Sequence, residues 1–172
     1  ITRFLGELGC EVLALEGSPR RANITRERCR ELANVQVLAD NFDEFVTEEK
    51  FDCITLIGVL EYANLFIKGE NPPLAMLQRV KQLLQPGGFI IIAIENKLGL
   101  KYLAGAPEDH LGVSFAGVEG RYTSNTAITF GKTELYNLLQ EAGLDHPDFF
   151  YPFPDYKLPV TIVSENGLNY PG

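Results

Sequence analysis

No Gly-x-Gly-x-Gly segment occurs anywhere in the 172 residues. The phosphate-side turn that opens the first helix of a doubly wound sheet is therefore missing. No run of about 18 apolar residues occurs either, so no membrane-spanning helix is predicted. No signal peptide is recognisable at the start of the chain. Basic residues are outnumbered, with 15 Lys and Arg against 23 Asp and Glu, a net charge of −8. That balance excludes broad contact with a nucleic-acid backbone, which needs clustered cations. Cys10, Cys29 and Cys53 form no CxxC pair, which predicts reduced, mostly buried thiols and a cytoplasmic setting. His110 and His146 stand without ligand spacing, so no metal site is predicted.

What is present is ordinary for a globular domain: 45% apolar and 22% charged residues. Strand and helix patterns alternate, which predicts a Rossmann-like α/β fold with a doubly wound, mainly parallel sheet. Ile1, Leu5 and Leu8 share one helical face. A buried strand, 11–16, ends in Glu16. Ser18 and Pro19 suit an N-cap and first helical position, opening a helix to about Leu32. Val35 to Ala39 is the next strand, followed by Asp40. Phe51 to Val59 is a near-continuous apolar run, as in a central parallel strand.

Asn71-Pro72-Pro73 starts a helix with Leu74, Leu77, Val80 and Leu84 as its stripe, stopped by Pro86-Gly87-Gly88. The strand Phe89 to Ile94 follows. Residues 104–130 are rich in Gly, Ser, Thr and Asn, and a connection of that length predicts a lid on the acceptor side. Lys132 to Ala142 reads as a helix ended by Gly143. The proline-punctuated tail reads as a terminal antiparallel strand pair.

An acid at the carboxyl end of a strand in such a sheet can accept the hydroxyls of a ribose. Glu16 is that acid. Asp40 ends the following strand and lies on the same rim, where its carboxylate can accept from an adenine amino group. Phe42 can stack on a purine. The plain alternatives are a solvated acid and an Asx-type turn through Asp40-Asn41-Phe42.

The segment Phe51-Asp52 to Val59-Leu60-Glu61-Tyr62, followed by Leu84-Gln85-Pro86-Gly87-Gly88, resembles the class I S-adenosylmethionine-dependent methyltransferase family. Tyr62 replaces the family's usual His, and the Gly-rich loop is absent. The resemblance covers roughly residues 1–100 and extends to the last helix and strands. It implies a single domain, 1–172, lacking its first strand and glycine loop. A strand would then be missing between those ending at Glu16 and Val59, leaving inner edges unpaired. A longer natural protein is therefore expected.

The resemblance implies S-adenosylmethionine as cofactor, with Glu16, Gly17 and Ser18 at the ribose. It puts Asp40, Asn41 and Phe42 at the adenine, and Ile57, Gly58 and Val59 along the methionine side. Gly58 has a physical rationale, since backbone without a Cβ approaches a ligand closely. Candidate catalytic residues are His110, Glu61 and Tyr62. Asn96, Tyr102, Asp109 and Tyr122 are candidate acceptor contacts.

The stretches Glu95 to Gly105, Glu108-Asp109-His110 and Tyr151 to Pro159 resemble methyltransferase domains of bacterial O-antigen and surface-polysaccharide synthesis. This implies O-methylation of a glycan or sugar-linked small molecule, beside a glycosyltransferase partner. Phe149, Phe150, Tyr151, Phe153 and Tyr156 can face sugar rings or pack on the core. The alternatives are a non-catalytic scaffold for a glycosyltransferase and a nicotinamide-dependent oxidoreductase or epimerase.

Overall fold

The computed structural model describes residues 1–169. The chain divides into two compact units, Ile1–Glu48 and Glu49–Gly172.

The first unit begins with helix α1 (Thr2–Glu7), then strand β1 (Val12–Glu16), helix α2 (Pro19–Arg28) and strand β2 (Val35–Ala39). β1 and β2 are parallel and in register from Val12↔Val35 to Glu16↔Ala39. Ser18 caps α2, with Pro19 as its first residue. The helix stops at Arg28, short of Leu32, because Cys29 leaves helical geometry and the chain turns through a Leu32 N–H to Cys29 carbonyl bond.

The expected stripe of α1 is corrected. Ile1 and Leu8 are 65% and 64% exposed, whereas Gly6 is buried. A Cβ on Gly6 would lie 2.5 Å from Val35 Cγ2 and 3.0 Å from Leu32 Cδ1. The helix therefore seats through its glycine, and bulk there is excluded by steric contact.

The second unit opens with strand β3 (Phe51–Ile57), a 3₁₀ turn (Leu60–Tyr62) and helix α3 (Ala63–Phe66). Helix α4 (Pro72–Gln82) and strand β4 (Leu84–Ala93) follow. Asn71 caps α4 by accepting from the Leu74 N–H at 3.3 Å. Met76, Leu77 and Val80 bury its inner face. Pro86-Gly87-Gly88 does not stop this helix, which has already ended at Gln82. Those residues instead lie inside β4, where a register shift between Phe51↔Leu84 and Cys53↔Phe89 accommodates them. From Cys53 to Ile57 the β3–β4 ladder is parallel and regular.

Helix α5 (Leu100–Leu103), the irregular span to Phe130 and helix α6 (Lys132–Glu141) come next. Strands β5 (Phe150–Phe153) and β6 (Thr161–Ser164) pair antiparallel, as expected of the tail. A 3₁₀ turn (Asn166–Asn169) ends the described chain. Leu138, Leu139 and Ala142 of the α6 region are buried, and Gly143 takes φ +73° just past its end.

One continuous sheet is not formed among the described residues. The strands make three two-stranded sheets, β1–β2, β3–β4 and β5–β6. The physical reason is hydrogen bonding: no third strand joins the β1–β2 pair or the β3–β4 pair. Against the expectation of mostly buried thiols, Cys10 and Cys53 are exposed and Cys29 alone of the three is buried. No helix among the described residues is long and apolar enough to cross a membrane.

Gly6→Ala tests the α1 seat. On an open helix the change stabilises by about 1 kcal/mol. Here overpacking against Val35 is expected to outweigh that gain and give a net loss of about 1–2 kcal/mol in urea unfolding.

Candidate active site

In the first unit, the parallel register sets Glu16 and Asp40 at the carboxyl ends of neighbouring strands, and the Asp40 N–H donates to the Glu16 carbonyl at 3.2 Å. Gly17 follows close to Asn41, whose Oδ1 lies 3.6 Å from a Cβ built on Gly17. The Glu16 carboxylate is engaged: Oε1 accepts from the Ser18 N–H at 2.8 Å and from Arg21 at 2.7 Å. The Arg21 bond, with the Ser18 bond aiding, holds its carboxyl below the usual range. The Ser18 hydroxyl serves as the α2 cap. Asp40 Oδ1 accepts from the N–H of the next residue, Asn41, at 2.8 Å. Phe42 is half-buried. A hollow of about 250 Å³ in this unit is lined by Arg26, Cys29, Val35 and Val37 among others, and by none of the six predicted adenosine residues.

The second unit holds a cavity of about 710 Å³ at the carboxyl ends of β3 and β4. Such rims are where ligands bind in open parallel sheets. β3 ends at Ile57. Gly58 donates to the Ala93 carbonyl at 2.9 Å, then turns the chain at φ +63°, where a side chain is strained. A Cβ there would stand 3.1 Å from the Tyr156 hydroxyl and 3.5 Å from Glu61 Oε1. The 3₁₀ turn, anchored by fully buried Leu60 and Ala63, then presents Glu61 and Tyr62 to the cavity.

Two residues past β4 comes Glu95, whose Oε1 accepts from Lys157 Nζ at 2.8 Å. Tyr156 and Lys157 reach the cavity from the segment after β5. His110 comes from the 104–130 span and meets Tyr62 edge to face, with ring centroids 5.3 Å apart. That span is fastened at two places. The Ile128 N–H donates to the Glu61 carbonyl at 2.8 Å. Glu108, 2% exposed, accepts at Oε2 from the backbone N–H groups of His110 and Leu111, at 2.8 and 2.6 Å.

Burial dominates the electrostatics. Glu61 is 2% exposed and its carboxyl is pushed up to about 7, with the Glu95 charge adding to the desolvation and Lys157 opposing it. Tyr156 is pushed up to about 12 by burial and the same Glu95 charge. The Lys157 ammonium is raised by its bond to Glu95. Asp109 pairs with Lys101 at 2.7 Å.

The three predicted catalytic residues, His110, Glu61 and Tyr62, thus share one cavity with Ile57, Gly58 and Asp109. The others separate. Val59 is 38% exposed and does not line the cavity, because Gly58 has already turned the chain. Asn96 is exposed and accepts from the Leu98 N–H at 2.9 Å, a turn role. Tyr102 is buried, 2% exposed, outside the lining. The Tyr122 hydroxyl bonds Thr129 Oγ1 at 2.6 Å, also outside it.

Sequence reasoning did not assign Glu95, Lys101, Asp155 or Lys157 to the site, and offered Tyr156 only as one of the tail aromatics able to face a sugar ring. Glu95 carried a usable signal, since it closely follows a strand end just as Glu16 does. His146 is exposed at φ +57°.

A family model described as a methyltransferase domain matches residues 1–90. The chain belongs to that methyltransferase family. No curated protein matches the chain.

Among solved structures, the CcbJ methyltransferase from Streptomyces caelestis is 22% identical with a TM-score of 0.48, over 56% of this chain and 42% of that one. PKMT2 from Rickettsia typhi, in complex with AdoHcy, is 18% identical at 0.47, over 59% and 20%. The S-adenosylmethionine-dependent methyltransferase SibL, in its apo form, is 17% identical at 0.50, over 85% and 40%. The last supports a Rossmann-like α/β fold. The chain spans less than half the length of each of these structures.

Glu108→Ala leaves the His110 and Leu111 N–H groups without their acceptor. A loss of about 2–3 kcal/mol in chemical denaturation is expected, while Glu108→Gln, which retains an acceptor oxygen, is expected to recover part of it.

Proposed function

We propose that the chain serves S-adenosylmethionine-dependent methyl transfer to a hydroxyl oxygen of a glycan or sugar-linked small molecule. The observation that carries this reading is the convergence of Glu61, Tyr62 and His110 on one cavity at the β3–β4 rim, in a chain of the methyltransferase family. The bound donor supplies an electrophilic methyl group for in-line displacement.

The residues present suit that donor in part. Gly58 gives the close backbone approach that a methionine portion needs, because a Cβ there would crowd Glu61 and Tyr156. Glu16 and Asp40 stand on one strand-end rim, as a ribose and an adenine require. Both Glu16 bonds fall on Oε1, so a ribose contact through the other oxygen does not require breaking the Arg21 pair.

An oxygen nucleophile calls for a base. Glu61 and His110 supply proton acceptors within 4.8 Å of one another, and the Tyr62 ring meets the imidazole edge to face. Enclosure strengthens each polar interaction inside and orients the acceptor. Asp109, Tyr156 and Lys157 offer hydrogen-bonding groups suited to sugar hydroxyls. Phe150 and Phe153, at 61% and 47% exposed, are available to stack on further sugar rings rather than packing in the core. A cytoplasmic setting, a lid role for 104–130 and a glycosyltransferase partner belong to the same proposal.

A scaffold without catalysis is the second reading, motivated by the Glu16–Arg21 pair occupying the ribose acid. Calorimetry with S-adenosylmethionine separates the two. Arg21 is 70% exposed, so Glu16→Gln is expected to cost at most about 1 kcal/mol of stability. Glu16→Gln and Asp40→Ala are each expected to weaken donor binding by about tenfold, the effect of one lost charge-assisted hydrogen bond. Unchanged binding in both removes the adenosine assignment, and no binding at all favours the scaffold.

Transfer of a labelled methyl group to a panel of sugar nucleotides and oligosaccharides tests the acceptor class. His110→Ala is expected to lower kcat by about 10²-fold or more, and labelling of amines but not of sugar hydroxyls would overturn the oxygen assignment.

A further inference from the structure

The cavity holds a buried cluster that hydrogen bonding within the protein does not account for. Glu61 is 2% exposed and Glu95 6%. Their Oε2 atoms, together with Nε2 of His110, are buried and have no hydrogen-bond partner. One donor atom from each of these three residues lies within 4.8 Å of the others. Two ligands on opposite sides of a divalent ion at about 2.0–2.4 Å stand about 4.0–4.8 Å apart, and adjacent ligands stand closer. The spacing is therefore at coordination scale.

We propose that Glu61, Glu95 and His110 bind one divalent cation, of the Mn²⁺ or Zn²⁺ type. The donor set argues for that class, because imidazole with two carboxylates suits a borderline transition cation better than Ca²⁺, which takes oxygen ligands alone. Charge argues the same way. Two neighbouring buried carboxylates need positive charge, and Lys157 bonds only Glu95, through Oε1. The oxygens turned away from that ammonium are the orphaned ones.

The three residues come from separate places: the turn after β3, the chain just past β4, and the 104–130 span. Each is fixed by its own surroundings. Glu61 follows fully buried Leu60, Lys157 holds Glu95, and Glu108 pins the His110 backbone. Three protein ligands leave coordination positions open to water or to an acceptor oxygen, the arrangement of a catalytic rather than a structural ion. The ion site rests on these side chains alone. Its service to methyl transfer rests on the reading given under Proposed function.

The test needs neither donor nor acceptor. Protein stripped with EDTA and dialysed is titrated with MnCl₂, and free Mn²⁺ is followed by its paramagnetic resonance signal. Saturation at one ion per chain is expected, with displacement by Zn²⁺. Glu61→Gln, Glu95→Gln and His110→Asn are each expected to weaken binding by about tenfold or more. Lys157→Met, which frees Glu95 of its ammonium, is expected to bind at least as tightly as the parent.

Circular dichroism of each metal-free variant identifies any that fails to fold, and the remaining variants then decide. No saturable binding of either ion overturns the proposal, as does binding that all three ligand substitutions leave unchanged. Intact ion binding in a protein that transfers no methyl group counts against the functional reading and leaves the ion site standing.

Discussion

The site depends on the parallel register of β3 against β4. Pairing of Ile57 with Ala93 brings both strands to an end at the same level. The residues that follow each strand, Gly58 to Tyr62 on one side and Ile94 to Glu95 on the other, must then share one rim. The bulge that absorbs Pro86-Gly87-Gly88 sits at the opposite end of the ladder, near Phe51. Irregularity is thus confined away from the rim, and the last five pairs are regular. A slip of one residue would turn every β3 side chain to the other face and separate Glu61 from Glu95.

Burial then decides the chemistry that the rim can perform. The segment 104–130 contains little regular structure, yet it contributes Glu108, Ala116, Ala127 and Thr129 to the buried set. Backbone turns such as Gly112 N–H to the Glu108 carbonyl and Arg121 N–H to the Ala116 carbonyl are joined there by the two bonds that the Glu108 carboxylate accepts. In place of a helix or strand, one carboxylate organises the turn carrying His110. Burial, with the Glu95 charge adding to it, raises Glu61 and Tyr156 above their ordinary ionisation ranges.

Much of the fold was legible because it rests on local signals. Asn71-Pro72 marked the start of α4, Val35 to Ala39 marked β2, and Gly143 marked the end of α6. Glu16 and Asp40 were placed on one rim by strand-end logic alone. What escaped was non-local. The α1 seat is set by the space beneath Gly6, which no periodicity reports. Leu84 was read as helix stripe because its apolar neighbours match either element, and its pairing with Phe51 decided the matter. Glu61, Tyr62 and His110, which motif and loop position singled out, line one cavity. Their partners Glu95 and Lys157 are 62 residues apart and meet only through tertiary packing. Asn96 and Tyr122 were drawn to the acceptor side by residue type, but turn and hydroxyl bonds claim them first.

The bond from Lys157 to Glu95 ties the tail to the rim. Lys157 belongs to the link between β5 and β6, so one wall of the cavity is the bend of a two-stranded ribbon. That ribbon pairs through four residue couples, a short ladder that is weak when isolated. The Lys157 ammonium in that tie is 60% exposed, and a second pair, Lys132 with Glu165, anchors the same ribbon to α6, so rising salt screens both ionic ties of this cavity wall.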